Sequence, residues 1–167
     1  MRNTVWEIIN RSPARERVMN DFAPTTLFAY GTLALPDVVD ALTGRVPETR
    51  PARLAGYRCR LLHGEPFPGV ERYPGSATDG VLYSGLSPAD LSILDTFEDE
   101  PYQRRVVTVK PVDGEPIRAW AYVVPAHAGN LLSSEPWEPA RFSRSARSKT
   151  LRTCRRLRAS RPPALQV

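Results

Sequence analysis

The sequence has few of the residues that build disulfide frameworks and metal sites. Of its 167 residues, only two are cysteine and two are histidine. Cys59 lies in a strand-like run and Cys154 in a basic segment, so we expect reduced thiols rather than a disulfide framework. His63 and His127 are far apart in sequence and have no second ligand at metal spacing, which predicts that there is no metal site.

A long hydrophobic run is also missing. No apolar stretch approaches the ~18 residues of a membrane span. The start of the chain lacks the basic, apolar and small-residue order of a secretory signal. These absences predict a soluble, cytoplasmic protein without a membrane partner. With 167 residues, of which 41% are hydrophobic, the chain is long enough to form one domain with a core.

Acidic residues are absent from the last part of the chain. Residues 139–167 contain nine basic residues and no acidic one. Without those nine, 14 basic residues stand against 18 acidic ones, which gives residues 1–138 a net charge of −4. The formal charge of +5 for the whole chain therefore comes from its C-terminal segment.

The composition of this segment favours a basic, flexible tail over residues 141–167, since Ser, Arg and Pro are frequent and apolar anchors are few. The alternative is a basic helix with Leu151, Cys154 and Leu157 along one side. Such a segment attracts phosphate groups, but no aromatic residue follows Phe142 to stack on bases. We therefore expect nucleic acid to bind at most non-specifically through the tail.

Residues 1–26 carry no sustained hydrophobic period and contain prolines at positions 13 and 24. This pattern predicts an N-terminal extension that precedes a single domain over residues 27–140.

The domain begins with a strand, a glycine turn and a helix. The apolar run 27–30 stops at Gly31, as a buried strand does. A helix is predicted around residues 37–42, with Pro36 near its start and Gly44 just past its end. Backbone amides at such a turn are not paired by the sheet, and a glycine lets a ligand approach them closely.

Further strands are predicted from β-branched and aromatic runs. Residues 104–112 and 117–124 form a hairpin in which Asp113 and Gly114 suit the tight turn. The segment 65–75 is rich in Pro and Gly, which predicts a loop with a short strand at residues 69–73. The other predicted strands are residues 53–62, kinked at Gly56, and residues 79–86.

A central helix is predicted to begin after Ser87. The Ser87 side chain can accept a hydrogen bond from a free amide of the first helical turn. Pro88 suits the first helical position, and Asp90 follows the cap residue at the spacing of a capping box.

The same helix ends on a carboxylate whose environment the pattern leaves open. Leu91, Leu94, Asp95 and Glu98 follow at i, i+3, i+4 and i+7, which places them on one face. If the helix reaches Glu98, the carboxylate lies at the rim of an apolar stripe, where partial desolvation raises its pKa. If the helix ends one residue earlier, Glu98 is solvated. Both interpretations are compatible with the periodicity.

Three motifs taken together resemble one known family. YGTL at residues 30–33, LDTFEDEPYQR at 94–104 and AWAYVVP at 119–125 are similar to the gamma-glutamylcyclotransferase-like family, also called AIG2-like. The resemblance is greatest to its gamma-glutamylamine cyclotransferase and bacterial branch, and it covers roughly residues 27–125. It implies an α+β fold with a small mixed β-barrel or sheet and flanking helices. A cavity is expected between the YGTL turn and the acidic residue.

The resemblance also implies roles for individual residues. Glu98 matches the family's catalytic acid/base, and the matches to its substrate-binding positions are Tyr30, Gly31, Thr32, Leu33, Tyr102 and Arg104. For Tyr102 a core role is equally open, and for Arg104 an ion pair with Asp95 or Asp99 is favoured over a substrate contact. The family has Gly where this chain has Asp99, which is expected to raise the pKa of Glu98 further or to distort the turn.

The implied reaction is intramolecular and uses neither a metal nor a cofactor. The α-amine of a small gamma-glutamyl amine or amino acid attacks the side-chain amide carbon of the same molecule, which forms 5-oxoproline and releases the amine. The alternative is a non-catalytic member of the fold that binds a small metabolite or a partner protein. The sequence predicts neither the leaving amine nor the oligomeric state.

Overall fold

The computed structural model describes residues 24–162. Most of the predicted N-terminal extension, residues 1–23, therefore lies outside the described residues. In chain order the elements are β1 (Leu27–Ala29), a 3-10 turn (Thr32–Ala34), α1 (Pro36–Thr43), β2 (Thr49–Leu61), β3 (Pro68–Tyr83), α2 (Pro88–Glu98), β4 (Gln103–Pro111), β5 (Ile117–Val123), two 3-10 segments (Ala126–Leu131 and Pro139–Arg141) and α3 (Arg144–Ala159). Within the part of the chain that is described, no helix is both long and apolar enough to cross a bilayer.

The five strands form a closed barrel in the order β1-β3-β2-β4-β5. Antiparallel pairing joins β1 to β3, β3 to β2, β2 to β4 and β4 to β5. A parallel bridge between Leu27 and Trp120 closes the barrel. The helices lie outside this barrel, so the predicted α+β fold with a small mixed barrel and flanking helices is confirmed.

Two apolar clusters occupy the two faces of the barrel wall. All five strands contribute to one of them, which includes Phe28, Leu54, Val70, Val109 and Ala119. The other cluster lies between the barrel and the helices, and it includes Leu27, Val39, Leu94, Tyr122 and Cys154. Neighbouring residues of β1 and β5 alternate between the clusters because successive side chains of a strand point to opposite faces.

The hairpin of β2 and β3 differs from the sequence prediction. Residues 65–75 were expected to form a loop with a short strand at residues 69–73, and this strand is present but is part of the longer strand Pro68–Tyr83, which has 16 residues and pairs along β2. The register shifts between Ala55 and Tyr57, where Gly56 has a φ of 81°. The expected kink at Gly56 is therefore present. A bulge of this kind lets a strand with a Pro and Gly insertion bend and continue pairing.

The first two helices follow their sequence signals. Helix α1 begins at Pro36, and Gly44 ends it in the left-handed conformation with a φ of 85°. Helix α2 begins with the predicted capping box, in which the Ser87 hydroxyl accepts a hydrogen bond from the Asp90 amide. It extends to Glu98, so of the two open interpretations the structure shows the longer helix.

The expectation of a flexible tail over residues 141–167 is corrected for its central part. Residues Arg144–Ala159 form helix α3, which Ser143 caps by accepting a hydrogen bond from the Ala146 amide. Cys154 is fully buried, and Leu151 and Leu157 pack against the cluster under the helices. The three apolar residues of the alternative interpretation thus anchor the helix, although its composition is strongly basic. Residues 163–167 lie outside the described part.

Candidate active site

The turn after β1 is held tightly against β3. A Cβ atom on Gly31 would lie 2.4 Å from Cγ of Pro68, so only glycine fits at this position without displacing the neighbouring chain. The Tyr83 hydroxyl donates a hydrogen bond of 2.8 Å to the Leu33 carbonyl oxygen. Thr32 and Leu33 are both buried. The turn is therefore fixed from both sides.

The amides of this turn are not used in hydrogen bonds within the described part of the chain. The carbonyl oxygens of Gly31 and Thr32 accept hydrogen bonds from the amides of Ala34 and Leu35. Within residues 24–162, the backbone N–H groups of Gly31, Thr32 and Leu33 donate to no protein acceptor. Successive free amides of this kind can bind a carboxylate or a developing oxyanion.

Glu98 is the last residue of α2, and its side chain is partly buried. Burial raises the pKa of Glu98 to about 8, because desolvation disfavours the charged carboxylate. Its carboxylate forms no ion pair or hydrogen bond with another side chain of residues 24–162. The carboxyl group is thus able to exchange a proton near neutral pH.

The turn and Glu98 line one cavity of about 740 Å³. Gly31, Thr32 and Leu33 form part of its wall, and Glu98 and Tyr102 form another part. A cavity of this size accommodates a small metabolite. The structure therefore brings the predicted turn and the predicted carboxylate together.

The two predicted substrate-binding tyrosines line the cavity, but their hydroxyl groups already bond to the protein. The Tyr30 hydroxyl donates to the Tyr122 carbonyl oxygen at 2.6 Å, and the Tyr102 hydroxyl donates to the Pro68 carbonyl oxygen at 2.6 Å. Burial is the main reason that the pKa values of both phenols lie above their usual range, and the nearby Glu98 carboxylate adds to the effect. These hydroxyls hold the barrel wall in place around the site.

Arg104 lies on the other side of Glu98. Its guanidinium donates to the two carboxylate oxygens of Asp95 at 2.7 and 3.2 Å, and it stacks on the Trp120 ring. The Tyr122 hydroxyl donates to the same Asp95 carboxylate at 2.7 Å. The ion pair favoured for Arg104 is therefore present. Arg104 does not line the main cavity but a smaller one of about 320 Å³ that also includes Glu98.

Asp99 follows Glu98 in an unusual backbone conformation. Its φ is 45°, and it is the only residue other than glycine with a positive φ among residues 24–162. L-residues are strained in this region, whereas glycine is not. The Asp99 side chain is exposed, and burial alone accounts for the raised pKa of Glu98. Asp99 was expected either to raise the pKa of Glu98 further or to distort the turn, and the structure shows the distortion of the turn.

A further wall of the cavity was missed by the sequence analysis. Helix α3 contributes Ala146, Lys149, Thr150 and Thr153 to the lining. The signal that could have found them is the spacing of Leu151, Cys154 and Leu157, which supported the alternative interpretation of this segment as a helix. A helix anchored by its apolar side necessarily places neighbouring positions at the edge of the barrel.

Comparisons with known proteins agree with this architecture. A solution structure of an Arabidopsis thaliana protein has 26% sequence identity and a TM-score of 0.59, covering 79% of this chain and 80% of that one. A solved structure named gamma-glutamyl cyclotransferase is similar in fold, with a TM-score of 0.57 and 19% identity, covering 86% of this chain and 91% of that one.

Sequence relatives point to the same group. AIG2-like protein C of Arabidopsis thaliana is 35% identical over 98 residues, which are 58% of this chain and 57% of the relative. The aligned region thus spans less than two-thirds of that relative's length. The sequence model of the family described as "Gamma-glutamyl cyclotransferase, AIG2-like" matches residues 27–139, which is more than half of the chain. The chain therefore belongs to the gamma-glutamyl cyclotransferase, AIG2-like family.

Proposed function

We propose that the protein is a gamma-glutamyl cyclotransferase that converts a small gamma-glutamyl compound into 5-oxoproline and a free amine. One observation carries this proposal. An unpaired carboxyl group with a pKa of about 8, Glu98, lines the same cavity as the free amides of Gly31, Thr32 and Leu33. Membership in the family supports the same reaction.

In the proposed reaction, Glu98 transfers protons from the attacking nitrogen of the substrate to the leaving nitrogen. Its carboxylate accepts a proton from the α-ammonium group of the substrate, and the free amine attacks the γ-carbonyl carbon to form the lactam C–N bond. Glu98 then returns the proton to the leaving nitrogen as the original amide C–N bond breaks. The attacking nitrogen carries three protons as an ammonium and one in the lactam, so it gives a second proton to the regenerated Glu98 carboxylate. Glu98 passes this proton to the released amine, which leaves as an ammonium. A carboxyl group with a pKa near 8 is basic enough for the first transfer and acidic enough for the second.

We assign to the turn the binding of the anionic groups of the substrate. The amides of Gly31, Thr32 and Leu33 would hold the substrate carboxylate or the oxyanion that develops at the γ-carbonyl. Both reacting groups belong to one molecule, so the main task of the site is to hold the substrate in a folded conformation.

The proposal is tested by incubating the protein with gamma-glutamyl amines and dipeptides and measuring 5-oxoproline. Glu98→Gln should fold but lose about 100-fold or more in turnover, because an amide does not accept the proton. Glu115→Gln, which removes an exposed carboxylate in the turn between β4 and β5, is the matched control. Equal 5-oxoproline release by wild type and Glu98→Gln would refute the catalytic role. Thermal stabilisation by these compounds without product would indicate the non-catalytic binder instead.

A further inference from the structure

Helix α3 lies outside the residues that the family model matches, and it brings a cation to the cavity. The family match ends at residue 139, whereas α3 extends over Arg144–Ala159. Its residue Lys149 lines the cavity, and no other lysine or arginine does so within residues 24–162. The helix is fixed to the barrel by buried Cys154 and by an ion pair between Arg147 and Asp37 at 2.8 Å. The position of Lys149 is therefore set by packing.

The Lys149 ammonium group is not used within the protein. None of the ion pairs among residues 24–162 includes it, and Arg147 is the one basic residue of α3 that is paired within this part of the chain. The neighbouring hydroxyls of Thr150 and Thr153 donate to helix carbonyl oxygens at 2.9 and 3.2 Å. Lys149 is thus the charged donor on this wall of the cavity.

The exposure of the lining residues places Lys149 at the mouth. Thr32 and Leu33 are buried, Glu98 is partly buried, and Lys149 is exposed. If the reacting part of the substrate lies between the turn and Glu98, the part that leaves must extend towards the mouth. The β2–β3 connection contributes Phe67 to the cavity lining, and it meets the segment before α3, where the rings of Phe67 and Phe142 are 6.0 Å apart.

We propose that Lys149 is a specificity-determining residue that selects leaving groups carrying a carboxylate. This inference rests on the proposed function, because that function defines which part of the substrate leaves. An ammonium group at the mouth of a partly enclosed cavity attracts a carboxylate on the departing amino acid or peptide. Glu65 also lines the mouth but is not paired with Lys149, so the ammonium group is free to contact the substrate.

Two probes that differ in one charge test this inference. Gamma-glutamyl-alanine has the carboxylate on its leaving group, and gamma-glutamyl-alaninamide has a neutral amide there. Binding is measured by calorimetry in the Glu98→Gln background, so the result does not depend on turnover. The acid should bind about fivefold more tightly than the amide at low salt, as expected for one exposed charge pair. High salt should reduce the difference.

Variants of α3 assign the effect to one residue. Adding Lys149→Met should make the two probes bind equally, whereas Lys149→Arg should keep the preference. Arg152→Met removes an exposed cation of the same helix that does not line the cavity, and it should also keep the preference. Equal binding of the two probes before Lys149 is changed, tighter binding of the amide, or a preference that survives Lys149→Met would overturn the inference. A retained preference in a wild-type protein that releases no 5-oxoproline would refute the catalytic proposal alone.

Discussion

The two walls of the cavity are built in different ways. The inner wall consists of Glu98 and the turn formed by Gly31, Thr32 and Leu33. In this wall, burial raises the pKa of Glu98, and packing fixes the backbone of the turn. The outer wall is one face of α3, where Lys149 is exposed. Changes to the inner wall should therefore alter stability and chemistry together. Changes at the outer wall should alter the choice of substrate, unless they loosen the helix itself.

The largest expected effect concerns the burial of Glu98. Its pKa is raised from 4.5 to about 8 in the folded protein, so the folded state keeps a proton that the unfolded state has already lost. Stability from this group is fully present below pH 4.5 and is lost as pH rises towards 8. The difference between a pKa of 4.5 and one of about 8 corresponds to about 5 kcal/mol. Glu98→Gln should lack this loss, which denaturant unfolding at pH 5 and pH 9 would measure.

The change in the free energy of unfolding between pH 5 and pH 9 must be compared between the variant and the wild type, because other groups also titrate between these pH values. Glu115→Gln serves as the control because it removes an exposed carboxylate away from the cavity. The control should follow the wild type across the pH range. If Glu98→Gln does so as well, Glu98 is not desolvated, and the contrast between the two walls disappears.

A smaller effect is expected when the turn of the inner wall is crowded. Gly31→Ala places a Cβ atom 2.4 Å from Cγ of Pro68, and we expect a loss of about 2 to 3 kcal/mol in the free energy of unfolding. Product release should fall as well, because the free amides move with the turn. Gly114→Ala is the control, since its nearest neighbour would be 3.4 Å away. Similar losses in both variants would indicate a general cost of replacing glycine rather than this contact.

The outer wall is tested by changing Cys154, the buried residue that anchors α3. Cys154→Ser places a hydroxyl group in an apolar cluster, where it should lower the free energy of unfolding by about 1 to 2 kcal/mol. Cys59→Ser, at a partly exposed position in β2, should cost less. Both can be measured by denaturant unfolding. A negligible effect at Cys154 would mean that α3 is not held by this side chain.

Features that depend on local chemistry could be predicted from the sequence, whereas contacts between distant residues could not. The turn at Gly31 and the start of α2 at Ser87 depend on local chemistry, so glycine, capping and helical spacing identified them. The partner of Glu98 in the cavity was predicted by resemblance, because contacts between residues distant in sequence leave no local pattern. The role of Tyr102 in holding the Pro68 carbonyl oxygen has no local signal either.

Two predictions that were only partly correct have a common physical cause. The segment 65–75 and helix α3 have the composition of loops and tails, but tertiary pairing overrides local preference. Residues 68–72 of β3 pair with β2, and the exposed glycine at position 75 is accommodated with a φ of 87°. Three apolar residues of helix α3 pack against a cluster formed by α1 and the barrel, and this contact stabilises the helix. Composition averages over these few decisive contacts.

The smallest predicted effect lies beside Glu98 and separates charge from backbone strain. Asp99 has a φ of 45°, so Asp99→Gly should relieve strain and raise the free energy of unfolding by about 1 kcal/mol, even after the larger entropy of glycine in the unfolded chain is counted. Asp99→Ala removes the same carboxylate but keeps a Cβ atom, and it should give no such gain. The pH at which product release is half-maximal should stay near 8 in both variants, because burial rather than Asp99 raises the pKa of Glu98. A matching gain in both variants would assign the effect to charge, and a large shift of the pH profile would show that Asp99 acts on the inner wall electrostatically.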